Sequence, residues 1–240
     1  VATPNDFGYQ SEPPTHPELL DWLASRLIEN NWRLKPMHKL ILSSAAWRQS
    51  SAYDEAKASK DLDNQLLWRF TPRRLEGEVI RDSLLTVSGQ LDKAMYGKGT
   101  LDEKSKRRSV YFFIKRSRLI PTMQLFDAPE PLVSQGRRLS TTIAPQALMF
   151  MNSPNVRGYA NAFAQRLTKE AGDNLDKAVS AGYQVALGRE PDKDETAATI
   201  AFLKSQEASY LEAKQGNPRL LALVDLAQTL LSLNEFSYLR

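Results

Sequence analysis

The chain contains no cysteine. Disulfides, thiolate nucleophiles, zinc–sulfur sites and haem attached through cysteine are thereby excluded within its 240 residues. Histidine is nearly as scarce, with only His16 and His38. A metal site would have to be built on carboxylates or draw on both imidazoles. Both histidines fall in the first turn of a predicted helix. If those helices pair antiparallel, their starts lie at opposite ends, so no metal site is expected. A Ser-His-Asp triad on Ser140-Thr141-Thr142 would have to recruit one of the same two histidines. Gly97-Lys98-Gly99-Thr100 lacks the spacing of a phosphate-cradling loop. The most apolar stretch, residues 220–233, is interrupted by Asp225, Gln228 and Thr229. It reads as a buried helix and not as a membrane span. No alternating strand pattern of useful length and no internal repeat are found.

What is present is amphipathic helix, punctuated by proline. Six of the 13 prolines (Pro17, Pro36, Pro72, Pro154, Pro191, Pro218) stand at or beside expected helix starts, where a missing N–H does no harm. Thr15 as N-cap followed by Pro17 and Glu18 opens one helix, ending near Asn30. A second starts at Pro36 and carries Met37, Leu40, Ile41, Ser44 and Trp47 at helical spacing. A third starts at Thr71-Pro72 and stops at Gly89; Arg74 and Glu78 would then be an i,i+4 ion pair. Further helices start at Ser153-Pro154, Asp173, Asp192 with Glu195 as a capping box, and Asn217-Pro218. With 42% hydrophobic and 25% charged residues, the expectation is a globular all-α fold.

Residues 107–152 break this pattern. They are proline-punctuated, largely aperiodic and rich in arginine; long irregular segments inside compact domains are usually either functional or disordered, and this one carries too many aromatic and aliphatic residues to be disordered. The expected organisation is therefore two helical subdomains, residues 1–106 and 153–240, joined by an irregular basic and acidic segment over 107–152 packed between them. The whole is expected to be one compact domain. Since the sequence opens at Val1 without methionine, it is expected to be cut from a longer chain. Residues 110–114 are an apolar run that reads equally as a short strand or a buried helical turn.

Charge is concentrated in the same region. Between residues 101 and 140 lie nine basic and four acidic residues, a surplus of five against a net charge of +4 for the whole chain. Such a patch points to an anionic partner, with a solvated face knitted by internal ion pairs as the plainer alternative. Arg108, Arg137 and Arg138 are the ligand-binding candidates. Asp127, in the turn Phe126-Asp127-Ala128-Pro129, is the leading candidate for acid–base chemistry, with His16 and His38 as possible helpers; an Asx-type turn is the plainer alternative. Glu78 and Asp82 could act as paired carboxylates, although helix-surface salt bridges explain the same spacing. Tyr111, Phe112 and Phe113 between basic clusters have the composition of a single-strand binder, but they form one block that also reads as core.

The chain resembles the planctomycete and verrucomicrobial family known as domain of unknown function 1553. The resemblance runs in order through His16-Pro17-Glu18-Leu19-Leu20-Asp21-Trp22, His38, Trp47-Arg48-Gln49-Ser50-Ser51 and Arg73-Arg74-Leu75 with Glu78, Ile80, Arg81 and Asp82. It continues through Arg108, Tyr111, Phe126-Asp127-Ala128-Pro129, Thr142, Pro145-Gln146-Ala147-Leu148 and Asn152, then Gly188-Arg189, Pro191 and Asn234-Glu235-Phe236. Two departures stand out: Ile143-Ala144-Pro145 where the family usually has Asn-Thr-Pro, and Trp47 where tyrosine is common. The resemblance implies an extracytoplasmic protein whose upstream part often carries a cytochrome-c-like haem domain; no cofactor is expected in this chain itself. It also implies association with polysaccharide-rich lifestyles. The expected function is an accessory or binding domain that docks an upstream domain or an anionic polymer. The alternative is a polysaccharide-active hydrolase using Asp127 with a carboxylate or histidine from the early helices.

Overall fold

A computed structural model describes residues 3, 5, 6, 9 and 11–239. Much of the loop expected over residues 1–14 lies outside them. Among the described residues the fold is all-α: eleven α-helices and one two-stranded sheet of two residues per strand. The chain divides into two compact units. Unit 1 is residues 1–73 with 134–137, and unit 2 is residues 74–133 with 138–239.

Unit 1 holds α1 (Pro17–Glu29), α2 (Leu34–Leu42) and α3 (Glu55–Ala58). The N-cap of α1 is His16, one residue later than the sequence indicated. The Thr15 hydroxyl is engaged instead with His16 Nδ1 at 3.0 Å. Helix α2 begins two residues before Pro36 and stops at Leu42, short of Trp47. Serine ends it: the Ser43 hydroxyl donates to the Lys39 carbonyl at 2.7 Å and the Ser44 hydroxyl accepts from the Trp47 amide at 3.2 Å, local bonds that compete with helix continuation. Residues 47–70 are stitched by aromatic rings. Trp47 meets Phe70 edge to face at 6.3 Å, and Arg69 lies over both Tyr53 (5.1 Å) and Trp68 (5.0 Å).

Unit 2 holds α4 (Gly77–Val87), α5 (Pro121–Leu125), α6 (Ala144–Asn152), α7 (Pro154–Ala171), α8 (Leu175–Leu187), α9 (Lys193–Glu212), α10 (Pro218–Ser232) and α11 (Asn234–Ser237). Helix α10 is its axis, packed against α6, α7, α8 and α9. Seven of its residues are buried, Leu223, Leu230 and Leu231 among them, which accounts for the apolar run over 220–233 as a core helix. The core continues through Phe163, Leu167, Val179 and Leu203 to Ile80 and Leu84 of α4. Phe126, Phe150 and Phe236 extend it as a chain of edge-to-face rings at 5.9 and 6.3 Å. Gly182 lets α8 approach α10 closely: a Cβ there would stand 3.1 Å from Leu230 Cδ1, which would have to shift by a few tenths of an ångström.

The caps explain the helix ends. Asn174 and Asn217 accept the Lys177 and Leu220 amides, and Asp192 with Glu195 forms the expected capping box. Gly89, at φ 72°, follows the last turn of α4. The start of α4 differs from expectation. Residues 73–76 are extended, β1 (Arg73–Arg74) pairs with β2 (Tyr238–Leu239), and the helix opens only at Gly77. The Leu75 amide donates to the Ser237 carbonyl at 2.8 Å, and the extended backbone lets Arg74 reach across to residues 126–141. Arg74 is therefore not a helical partner of Glu78. Residues 110–114 are neither strand nor α-helix. A 3₁₀ turn at Ser109–Tyr111 leads into a single bridge between Thr100 and Phe112, and Val110, Phe113 and Ile114 are exposed.

Candidate functional site

Helix α4 is the spine of the site. Its solvent side carries Val79 and Asp82, with Glu78 in the first turn and Glu76 at the N-cap. These residues line one side of a cleft of about 490 Å³ within unit 2. Phe112, Phe113, Ile120, Met123 and Pro129 give the cleft an apolar lining, while Arg108, Lys115, Arg118 and Arg138 bring cations to it. An apolar cavity with a few convergent polar groups is the usual form of a ligand site.

Each carboxylate of the cleft is engaged. Arg138 donates to Glu76 at 3.1 Å and to Glu78 at 2.9 Å. The bond to Glu78, against the opposing effect of burial, raises the Arg138 pKa above its ordinary value. Asp82 Oδ1 accepts the Ser109 amide at 2.7 Å and the Ser109 hydroxyl at 2.8 Å. Its other oxygen is 3.6 Å from Arg108, whose side chain is 63% exposed. Lys115 and Arg118 are different. Both are exposed, and among the described residues no carboxylate pairs with either.

Behind this surface Arg81 is buried, at 2% exposure. It donates to the Arg107 carbonyl at 2.9 Å, the Ser109 hydroxyl at 3.2 Å and the carbonyls of Glu103 and Ser105. Burial lowers its pKa; Tyr159, Asp82 and Glu103 pull the other way. A guanidinium keeps its charge in any case. Its face covers the Phe112 ring at 4.5 Å, and Arg107 covers Tyr111 at 3.6 Å.

Asp127 stands apart from the cleft's cations. It adopts φ 60°, and its carboxylate is 15% exposed beside an Arg74 guanidinium at 5%, 2.5 Å away. The Thr141 amide donates to Oδ2 at 2.7 Å, and the Thr141 hydroxyl lies 2.9 Å from Oδ1. Burial alone pushes this carboxyl up, but the Thr141 amide, the Thr141 hydroxyl and Arg74 together hold it below the ordinary aspartate range. Gln146 completes the knot by donating to the Leu125 carbonyl at 2.9 Å.

The structure thus brings Arg108 and Arg138 to one cleft and places Asp127 in a separate ionic knot of the same unit. His16, half-buried, and His38, exposed, belong to unit 1, as does the exposed Arg137. Among the described residues no group of three or more His, Asp or Glu is arranged to hold a metal ion. Sequence reasoning missed Glu76, Lys115 and Arg118 as cleft residues and Arg81 as the anchor behind them. The available signal was the cluster Lys115-Arg116-Arg118, which carries no acidic residue within its own turn.

Fold and site together define an all-α protein whose second unit carries a cleft of mixed apolar and cationic character. A family described as "PSD1: Protein of unknown function (DUF1553)" matches residues 1–203, and the chain belongs to that family. No curated protein and no solved structure matches the chain.

Proposed function

We propose that this chain is a binding domain whose unit 2 takes an anionic polysaccharide in the cleft along α4. The observation that carries the reading is the disparity of pairing. The cleft's acids are bound to Arg138, Ser109 and their neighbours, whereas Lys115 and Arg118 face the same space without a counter-charge. An anion supplies what they lack, and the apolar lining offers a surface for the faces of sugar rings. Glu76 and Glu78 retain lone pairs that accept sugar hydroxyls.

A neighbouring domain of the same polypeptide would have to bring acidic side chains to Lys115 and Arg118 to serve them equally. Single-stranded nucleic acid needs successive open ring faces. Here Arg107 and Arg81 each occupy one face of the Tyr111 and Phe112 rings, which reduces the open ring faces. Asp127 is poorly suited to act as a general acid in hydrolysis, since the Thr141 amide and hydroxyl and Arg74 hold its carboxyl in the charged form. The polysaccharide reading also agrees with the extracytoplasmic setting that the family resemblance implies.

The test is titration of the protein with dextran sulfate, with neutral dextran and a single-stranded oligonucleotide as controls. Replacing Lys115 and Arg118 together by alanine is expected to weaken dextran sulfate binding about tenfold at low salt, each cation being worth on the order of 1 kcal/mol or less at an exposed site. Undiminished binding by this variant, or tighter binding of the oligonucleotide, contradicts the proposal.

A further inference from the structure

Residues 101–110 alternate in exposure. Leu101, Glu103, Ser105, Arg107 and Ser109 are half-buried or buried, whereas Asp102, Lys104, Lys106, Arg108 and Val110 are exposed. The segment contains a turn, with the Ser105 amide donating to the Asp102 carbonyl, so strand geometry does not impose this pattern. Arg81 does. One buried guanidinium gathers the carbonyls of Glu103, Ser105 and Arg107 and the hydroxyl of Ser109. The adjacent Asp82 takes the Ser109 amide and hydroxyl, and Glu103 accepts the Thr122 amide from α5 at 3.1 Å. Residues 103–109 are thereby tied to α4 and α5, the Arg107 side chain turning to the carbonyls of residues 94–98, and the three cations at even positions are left outside together with Asp102. Of these, Arg108 lines the cleft and has Asp82 at 3.6 Å. Lys104 and Lys106 have no ionic partner among the described residues.

We infer that Arg81 is a positioning residue, which by holding residues 103–109 against α4 lays out Lys104, Lys106 and Arg108 as a cationic track continuing the cleft along a polymeric anion. The inference rests on reading the cleft as an anionic polysaccharide site and extends it: the partner is a chain long enough to leave the cleft. A guanidinium is needed because its planar fork reaches several acceptors at once, whereas a lysine ammonium in its place is a point charge on a flexible stem.

The experiment compares dextran sulfate of long chain with short sulfated oligomers across a range of salt, using the whole protein. Wild type is expected to bind the long chain more tightly and with a steeper salt dependence, by about 0.7 in log–log slope for each additional cation engaged. In Arg81→Lys the slope for the long chain is expected to fall toward that for the short oligomer. Hydrogen exchange is expected to quicken at residues 105–109 while α10 stays protected. An unchanged slope and unchanged preference for the long chain overturn the inference. Should Arg81→Lys not fold, Lys104→Gln with Lys106→Gln carries the test, since neither side chain takes part in the grip on α4. This pair is expected to reduce the slope by about 1.4, and no reduction overturns the track. If wild type binds neither polymer, the cleft reading itself fails; if wild type binds and these variants match it, only the track fails.

Discussion

The guanidinium of Arg74 lies 2.5 Å from the carboxylate of Asp127, with both groups largely shielded from water. Fifty-three residues separate them in the chain. The pair joins the extended strand before α4 to the turn after α5, and Thr141 ties the lead into α6 to the same carboxylate. Three segments that carry no long helix of their own are thus fixed by one aspartate. The turn at residues 126–129 is thereby tied to both neighbouring segments.

Replacing Asp127 by asparagine leaves the Arg74 charge shielded and unpaired. Breaking such a pair by removing one partner costs about 3 kcal/mol. The expected outcome of Asp127→Asn is a melting temperature lower by several degrees, read by calorimetry or circular dichroism. A catalytic Asp127 would instead lose turnover at an unchanged melting temperature. The pH dependence has a definite sign. The folded-state pKa of Asp127 is depressed, so its stabilisation is complete above the ordinary value near ~3.9 and is lost as pH falls through the folded one. In Asp127→Asn this part of the acid sensitivity is expected to disappear.

A second ionic cluster closes the far end of unit 2. Arg189, directly after the Gly188 cap of α8, donates to Glu195 at 2.7 Å and to Glu235 at 2.7 Å. The bond to Arg189 lowers the Glu195 pKa to about 2, and the Arg189 guanidinium is raised in return. Glu195 therefore contributes stability that is fully present above about pH 4.3, its unfolded value, and fades as pH approaches 2. Arg189 is 37% exposed, so solvent screening keeps the effect small. Glu195→Gln is expected to destabilise by about 1 kcal/mol at neutral pH, measured by urea unfolding, and by less below pH 3.

The core makes a stricter demand. Phe163 of α7 is fully buried. Phe163→Ala removes that ring from the interior, and truncations of this kind cost about 3–5 kcal/mol. Asp192→Ala removes a cap that accepts the Glu195 amide at 2.7 Å, with an expected loss of about 1 kcal/mol. Denaturant midpoints for the two variants are expected to fall in that order.

Much of this architecture was legible from local chemistry. Asn217-Pro218, Asp192 with Glu195, and Gly89 marked helix ends where the chain places them, because caps act through bonds to their immediate neighbours. The apolar run over 220–233 identified the core helix. The start of α4 was misread at Thr71-Pro72, since the carbonyl that holds Leu75 extended belongs to Ser237, far along the chain. The cleft was half-legible. The basic surplus over residues 101–140 includes the four cations that line the cleft, but pairing decides which of them lack a partner. Arg138 meets Glu76 and Glu78 from sixty residues away, and local sequence holds no record of that. Nothing local singles out Arg81, because its acceptors are mainly backbone carbonyls and carry no side-chain signature.

Whether unit 2 binds an anionic polysaccharide is decided by the affinity of the intact protein for dextran sulfate, compared with neutral dextran, as salt is raised. Measurable binding to the sulfated polymer at low salt is expected, with a linear fall of log affinity with log salt and no binding to the neutral polymer. Equal binding to both polymers, or an affinity for dextran sulfate that does not respond to salt, would contradict the proposal.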